Sequence, residues 1–387
     1  MNSEPNKTVE PGIALGKIAR EFLRLGFIAF GGPAAHIALM EEQFVRRRAW
    51  VTRERFLDLV GAVSLLPGPS STELAIYLGQ IRGGAPGLIV AGAAFILPAA
   101  ILVVGLAWAY VRFGAAPQLA GLLFGVKPVV VALIAQAIWT LGKTALKTWE
   151  LTVLAVVALA LAILNAPALA VLIGTGVAWM AANRAVSARA TGTATLAAFL
   201  PAASLNSAAI SVGLAPVFFY FLKVGAVLFG SGYVLLALLR ADLVVRLHWL
   251  TEAQLLDAIA ISQATPGPFF TVATFIGYVL GGWRGALLAT AGMFLPAFLF
   301  VAATANFLPR LRQSRAASAF LDGVNAAAVA LMALVGWQFA RATLVSLPAV
   351  GLALASVLLV FWWRVNSAWV IAGGAVAGVV FRLLHWS

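Results

Sequence analysis

Hydrophobic residues occupy this chain in long runs that short polar loops interrupt. The first half contains six apolar segments, near residues 22–40, 56–81, 86–111, 117–141, 150–164 and 167–183. The second half contains six more, near residues 218–239, 254–280, 283–307, 317–340, 342–362 and 366–384. A helix needs roughly 20 apolar residues to cross a bilayer, so the pattern predicts an all-α polytopic membrane protein with about 10–13 membrane segments.

The two sets of segments are copies of one another. The stretch FLRLGFIAFGG, which begins at Phe22, matches FLKVGAVLFGS, which begins 199 residues later. The same offset aligns Trp50 with Trp249 and Asp58 with Asp257. After one deletion the offset becomes 198 residues, which aligns Pro98 with Pro296 and Trp139 with Trp337. Chance similarity between apolar helices would not keep tryptophan and aspartate in register, so the sequence predicts an internal duplication.

Basic residues predict that the two halves lie in opposite orientations. The loop after the first segment carries five arginines between residues 46 and 55, whereas its counterpart in the second half carries only Arg246. After the third segment the bias reverses, with Arg310, Arg312 and Arg315 against Arg112 alone. Because basic loops stay in the cytoplasm, this reversal indicates an inverted repeat. Two halves of six segments each would lie parallel unless the chain between them crosses the membrane once more. We expect repeats at 1–190 and 217–387, joined by a linker over 191–216 that supplies this crossing.

Each half carries a proline-glycine-proline triplet inside an apolar segment, at residues 67–69 and 266–268. Proline lacks the backbone N–H and clashes with the preceding turn, so each triplet is expected to break its helix. The helix that restarts exposes N–H groups and the positive end of its dipole. We therefore expect broken or re-entrant helices that hold a small oxyanion between the halves. A kink that only tunes helix packing is the alternative.

The residues around these breaks are the candidate anion ligands. They come from the two triplets, the hydroxyl and aromatic residues that follow them, and a Phe-Gly break in the first segment of each half: Gly31, Gly32, Gly68, Ser70, Ser71, Thr72, Gly230, Gln263, Gly267, Phe269, Phe270 and Thr271. Arg24 and Lys223 occupy matching positions and are either counter-charges or residues that reach the membrane surface. Lys127 lies deep in an apolar run, where a cation is costly and therefore a functional candidate.

Three carboxylates are candidates for proton coupling. Asp58 and Asp257 match across the halves and lie nine residues before their triplets. A partly buried carboxylate can exchange protons near neutral pH, although a capping or ion-pairing role is the alternative. Glu73 follows the first triplet by one helical turn and has no acidic counterpart in the second half. His36 is expected to be a packing residue.

Composition narrows the class of protein further. Of the 387 residues, 63% are hydrophobic and 10% are charged, whereas a soluble domain carries about 25% charged residues. The net charge of +13 is explained by basic loops and not by a nucleic-acid partner. The chain has no cysteine, and its three histidines have no acidic cluster at ligand spacing, so we expect no disulfide, no metal and no cofactor. The polar N-terminus does not have the pattern of a cleaved signal peptide.

Three stretches carry a recognisable pattern: FGGPAAHIALMEEQFV, WVTRERFLDLVGAVSLLPGPSSTELAIYLG and the second copy WLTEAQLLDAIAISQATPGPFFTVATFIGYVLGG. They resemble the chromate ion transporter family in its long two-domain form, and the resemblance covers nearly the whole chain. It implies a multi-pass protein of the bacterial inner membrane that exports chromate from the cytoplasm, as an antiporter driven by the chemiosmotic gradient, and confers chromate resistance. The run Phe229-Gly230-Ser231 departs from the double glycine of the first half.

The resemblance leaves the transported anion open, because sulfate has the same charge and tetrahedral shape. A transporter of sulfate or another tetrahedral oxyanion is therefore the nearest alternative. An anion channel and a membrane-embedded enzyme are alternatives of other classes. The enzyme would need a nucleophile, an acid/base pair or a metal cluster, none of which the sequence indicates. Membrane lipid is an expected partner, and a homodimer stays open.

Overall fold

The computed structural model describes residues 14–30, 32–114, 117–188, 213–228, 234–304 and 314–384. All regular elements in these residues are helices, so the predicted all-α fold is confirmed. Four of the described helical segments are long and apolar enough to cross a membrane: Ser70–Phe113, Ala120–Ala145, Phe269–Thr304 and Ala316–Thr343. Five shorter apolar helices accompany them. The chain is an integral membrane protein.

The helices follow one another in the same order in both halves. The first half contains α1 (Leu15–Ile28), α2 (Gly32–Met40), a π-helix (Glu41–Arg47), α3 (Arg53–Val63), α4 (Ser70–Phe113), α5 (Pro117–Ala145), α6 (Trp149–Ile163) and α7 (Ala168–Ala188). The second half contains α8 (Leu214–Val227), α9 (Val234–Leu239), a π-helix (Arg240–Arg246), α10 (Glu252–Ala264), a 3₁₀ turn (Phe269–Thr271), α11 (Val272–Thr304), α12 (Arg315–Thr343), α13 (Leu347–Phe361) and α14 (Ser367–Leu383).

Unusual backbone features recur at matching positions in the two halves. Ala49 and His248, which follow the two π-helices, both have positive φ angles, of 48° and 51°. The next helix of each half is capped by a threonine, Thr52 for α3 and Thr251 for α10, whose hydroxyl accepts a backbone hydrogen bond from the first turn. Side-chain oxygens at this position satisfy N–H groups that the helix itself leaves free. The duplication seen in the sequence therefore extends to backbone conformation.

Helix α4 is a hairpin of two helical arms, residues 70–83 and 85–113. Gly84, with φ 60° and ψ −151°, interrupts it. A methyl group placed on Gly79 would overlap both Ala91 and the carbonyl of Gly87. In a continuous helix, residues 79 and 91 would lie about 18 Å apart. The chain therefore reverses at Gly84, and the small residues allow the two arms to touch.

Helix α11 has the same hairpin form. Gly282, with φ 59° and ψ −153°, marks its turn, and a methyl group on Gly277 would overlap the carbonyl of Gly285. The hydroxyl groups of Thr274 and Thr290, one on each arm, lie 2.7 Å apart. In each half, therefore, a short arm runs from the triplet to the turn of the hairpin, and a long arm runs from the turn across the molecule.

The segment between α1 and α3 returns toward the side on which α1 begins. The Arg48 guanidinium lies 2.5 Å from the Glu21 carboxylate of α1. The Trp50 ring lies over the guanidinium of Arg82, at 5.8 Å, just before the turn of α4. The start of α1, the loop before α3 and the turn of α4 therefore share one side of the first half.

The long arm of each half ends among the helices of the other half. Tyr110, near the end of α4, donates a hydrogen bond of 3.0 Å to Asp257 of α10. Thr304, at the end of α11, is hydrogen-bonded to Tyr77 on the short arm of α4. These two contacts interlock the halves through both long arms.

Glycines bring α5 and α14 into close contact. Gly121 and Gly125 on α5 face Gly374 and Gly378 on α14, and a methyl group on any of the four would crowd the opposing helix. Helices in lipid gain little from the hydrophobic effect between them, so they associate by close packing of small residues. This crossing joins a helix of the first half to the last helix of the second.

We expect Gly125→Leu to destabilise the protein, because even a methyl group at this position overlaps the Gly374 carbonyl. Overpacking of this kind costs about 1–3 kcal/mol, which thermal unfolding in detergent measures as a lower transition temperature. Gly174→Leu is the matched control, since a methyl group there meets nothing within 4 Å. Equal stability of the two variants would contradict this assignment of the crossing.

Candidate functional site

The two triplets meet the ends of the first helices of the opposite halves. The N–H of Gly68 donates a hydrogen bond of 2.7 Å to the carbonyl of Leu228, and the N–H of Gly267 donates one of 2.7 Å to the carbonyl of Ala29. Leu228 and Ala29 are the capping residues at the ends of α8 and α1, so the two bonds are equivalent under exchange of the halves. We call this pair of reciprocal contacts the junction.

Both glycines of the junction hold conformations that other residues avoid. Gly68 has a φ of 140° and Gly267 a φ of 90°. A methyl group on Gly68 would lie 2.5 Å from a carboxylate oxygen of Glu73, and one on Gly267 would lie 2.7 Å from the methyl of Ala99. Positive φ is accessible to glycine without steric cost. Each triplet glycine therefore supplies the turn, and its missing side chain leaves room for Glu73 of the same half at Gly68 and for Ala99 of the opposite half at Gly267.

The N–H groups expected to hold an anion are partly occupied by the protein itself. Besides the two junction bonds, the N–H groups of Thr72 and Glu73 donate to the Pro69 carbonyl, at 2.7 and 3.0 Å, and the N–H of Thr271 donates to the Pro268 carbonyl at 3.1 Å. The helices on the far side of the triplets thus begin with closed turns. Anion binding by these backbone groups would require a rearrangement of the junction.

Several side chains next to the junction are buried without a hydrogen-bond partner among the described residues. Thr72 and Glu73 are both 0% exposed, and neither the Thr72 hydroxyl nor either Glu73 carboxylate oxygen has a partner. Before the second triplet, the Ser262 hydroxyl and the Gln263 amide nitrogen are also unpartnered. Buried polar atoms without partners are costly, and such positions commonly bind water, ions or substrate.

His36 links the junction to the start of α4. One ring nitrogen lies 3.2 Å from the Ala29 carbonyl, the same oxygen that accepts the Gly267 N–H, and the other lies 3.3 Å from the Ser71 hydroxyl. The side chain is 1% exposed. It is therefore a buried packing residue. It also positions the end of α1 against the start of α4, and the sequence pattern did not indicate this second role.

The other predicted ligands differ in how much of each residue is exposed to solvent. Phe269, Phe270 and Thr271 are buried, and the Thr271 hydroxyl donates to the Pro268 carbonyl at 2.9 Å. Ser70 is half-buried at the start of α4, and Gly32 begins α2 with a φ of 79°. Gly31 and Gly230 lie outside the described residues.

The matched basic residues and the first aspartate lie on the outside of the molecule. Arg24 on α1 and Lys223 on α8 are both exposed, and so is Asp58 on α3. A basic side chain that points away from the protein interior suits contact with lipid headgroups better than contact with an anion at the junction. Their assignment as counter-charges to the anion and as a proton carrier stays a prediction.

Lys127 and Asp257, by contrast, are brought together from different halves. The Lys127 ammonium on α5 lies 2.9 Å from one Asp257 carboxylate oxygen on α10, with side-chain exposures of 24% and 7%. Tyr110 donates to the other carboxylate oxygen. Asp257 lies ten residues before Gly267, which corresponds to about 15 Å along a helix. The ion pair is thus on the same chain segment as the junction, nearer one end of the molecule.

This ion pair faces a cavity of about 680 Å³. The cavity is lined by residues of both halves, including Tyr110, Lys127, Gln254, Asp257 and Arg382. Two cations and one carboxylate give its lining a net positive charge, which favours a small anion over a cation. Sequence reasoning missed Tyr110, Gln254 and Arg382, since none lies close in sequence to a triplet.

The two halves are not chemically equivalent at this position. The repeat counterparts of Lys127 and Asp257 are Asn325 and Asp58, and Asp58 is exposed where Asp257 is buried. No group of three or more metal-ligating side chains is found in the described part of the chain. The described site therefore offers electrostatic binding of an anion and a carboxyl group for protons.

Known proteins resemble this chain over nearly its whole length. The chromate transporter family model matches the chain twice, over residues 16–180 and 215–379. A chromate transport protein of Cupriavidus metallidurans is 33% identical over 383 residues, which cover 97% of this chain and 95% of that protein. One of Pseudomonas aeruginosa is 32% identical over 402 residues, covering 96% and 94%. A probable chromate transport protein of Synechococcus elongatus is 29% identical over 389 residues, covering 96% and 97%.

No solved structure matches the chain significantly. The duplicated family match nevertheless extends through both halves, and the resemblance carried by the triplet motifs is confirmed. The chain belongs to the chromate transporter family.

Proposed function

We propose that this protein exports chromate from the cytoplasm across the bacterial inner membrane, driven by the chemiosmotic gradient, and thereby confers chromate resistance. Relatives named as chromate transport proteins cover nearly its full length, which supports chromate as the substrate. The junction is the structural observation that carries the proposal. Interrupted segments from both halves meet there and leave buried polar groups without partners, as expected where a substrate passes.

The halves are inverted with respect to the membrane in this proposal. The long arm of α4 begins on the side of the Trp50 loop and ends at Tyr110, which contacts Asp257 near the start of α10. The long arm of α11 ends at Thr304, which contacts the short arm of α4. The hairpin of each half therefore has its open end on the side of the molecule where the hairpin of the other half has its turn. The arginine-rich loop at 46–55 lies on the side of the α4 turn, and it assigns this closed end of the first half's hairpin to the cytoplasm.

The membrane potential alone favours export of a dianion. An elementary charge that crosses a potential of 100 mV changes free energy by about 2.3 kcal/mol. Two negative charges that leave an interior-negative cell therefore release about 4.6 kcal/mol per 100 mV, equivalent to a concentration ratio of about 2000. Coupled export needs a route that opens to one side at a time, and we assign this role to the junction between the halves.

Glu73 is the proposed carrier of the coupled proton. It is fully buried, its carboxylate oxygens have no partner among the described residues, and it adjoins Gly68 of the junction. Carboxyl groups buried at membrane depth without a cationic partner are characteristic of proton pathways. Asp257 differs, because Lys127 already neutralises it. We therefore assign proton coupling to Glu73 before Asp257 or Asp58.

We expect energised inside-out vesicles that contain the protein to accumulate chromate above its outside concentration. Export from the cell corresponds to uptake by such vesicles, and the gradient supplies the free energy. Uptake of labelled chromate, with and without an uncoupler and with sulfate in excess, measures direction, coupling and selectivity together. Vesicles without the protein are the control.

Each alternative gives a different result in these vesicles. An anion channel accumulates chromate in response to the membrane potential but not in response to a pH gradient imposed at zero potential, whereas the proton-coupled exporter responds to both. Sulfate transport shows as sulfate uptake that chromate scarcely inhibits. Uptake no greater than in control vesicles would contradict chromate export.

We expect Glu73→Gln to abolish stimulation of chromate uptake by an acidic vesicle lumen, because the amide cannot carry a proton. Exchange of labelled for unlabelled chromate, which needs no net proton movement, should continue. Glu54→Gln, at an exposed position in the first turn of α3, is the matched control. If Glu73→Gln responds to the imposed pH gradient like the wild type, Glu73 is not the proton carrier.

A further inference from the structure

Two ion pairs that join the halves lie at different depths along α5. The Lys127 ammonium, ten residues inside the helix, lies 2.9 Å from Asp257, and the Lys147 ammonium, just beyond its end, lies 3.0 Å from Asp322. The helix between Lys127 and Ala145 spans about 27 Å, close to the thickness of the hydrocarbon core. In both pairs the first half supplies the lysine and the second half the aspartate.

The two pairs differ in their surroundings. Lys147 and Asp322 have side-chain exposures of 58% and 29% and do not line the cavity. An exposed pair of this kind contributes little, because water and salt screen it. Lys127 and Asp257 have exposures of 24% and 7%, and both line the 680 Å³ cavity. Their attraction is therefore screened less.

The Asp257 carboxylate occupies the position in which Lys127 would bind a free oxyanion. A carboxylate oxygen and an oxyanion oxygen make the same charge-assisted contact with an ammonium group. Tyr110 fixes the carboxylate by donating to its second oxygen. Arg382 lines the same cavity and offers a second cation. A dianion would balance the charge of both cations, whereas the single charge of the carboxylate leaves one of them uncompensated.

We propose that Asp257 is an internal competitor of the transported oxyanion. The anion binds Lys127 and Arg382 in the cavity only when the Asp257 carboxylate leaves the lysine. This inference rests on the proposed function and adds to it an anion subsite at one end of the route. Because Lys127 belongs to the first half and Asp257 and Arg382 belong to the second, the same exchange replaces a direct ion pair between the halves with a contact that passes through the anion.

The competition predicts a gain of affinity when the carboxylate is removed. Asp257→Asn should bind chromate about tenfold more tightly than the wild type, an effect of the size measured for close, partly buried charge pairs at well-studied interfaces. Calorimetric titration of the purified full-length protein with sodium chromate, and separately with sodium sulfate, at constant ionic strength measures the change. A residue with a purely structural role would weaken binding when replaced.

Matched variants separate competition from other effects. Asp322→Asn also removes an aspartate that pairs with a lysine of the other half, but outside the cavity, and should bind like the wild type. Lys127→Gln combined with Asp257→Asn should bind no more tightly than the wild type, because the contested cation is gone. If Asp257→Asn does not fold, Tyr110→Phe frees the carboxylate less completely and should tighten binding by a smaller factor.

Two results would overturn the inference. One is a folded Asp257→Asn protein that binds chromate and sulfate no more tightly than the wild type. The other is an equal gain of affinity in the double variant, which would show that Lys127 is not the contested group. A wild-type protein that binds neither anion contradicts the proposed function itself, so the two failures are distinguishable.

Discussion

Every backbone polar group at membrane depth must find a partner, and neither half of this protein can meet that requirement alone. Each half ends its first helix early and breaks a second segment at a triplet. The Gly68 N–H and the Gly267 N–H find their partners in the carbonyls of Leu228 and Ala29, which belong to the opposite half. Non-helical backbone is stable inside a membrane only when protein or water satisfies it. The reciprocal bonds therefore make each half a structural requirement of the other.

Chemical difference between the halves is built onto this common frame. The junction bonds, the capping threonines and the hairpin turns repeat, whereas several charged groups differ in identity or in burial between the halves. Glu73 and Lys127 have no equivalents in the second half, and Asp257 is buried where its counterpart Asp58 is exposed. The proposed roles of Glu73 and of the Lys127–Asp257 pair depend on this inequality.

The sequence predicted the helical fold and the duplication better than it predicted the contacts between side chains. Hydropathy and the repeat offset gave the helical fold and the duplication, because both depend on patterns that persist over many residues. The triplets marked the junction, since proline and glycine act locally. Arg24 and Lys223 illustrate the limit: position along a helix does not tell which face turns inward, and both are exposed. Tyr110 and Arg382 join the cavity through tertiary packing, which no spacing in the sequence reveals.

The central claim is that the two triplets approach each other from opposite faces of the membrane. Labelling of matched positions from either side of the membrane tests this claim most directly. The chain has no cysteine, so single cysteines at Trp149 and at its repeat counterpart Leu347, both highly exposed, can be labelled with a membrane-impermeant maleimide. The account predicts that Leu347→Cys reacts in intact cells and Trp149→Cys only in inside-out vesicles. Reaction of both variants from the same side would contradict it.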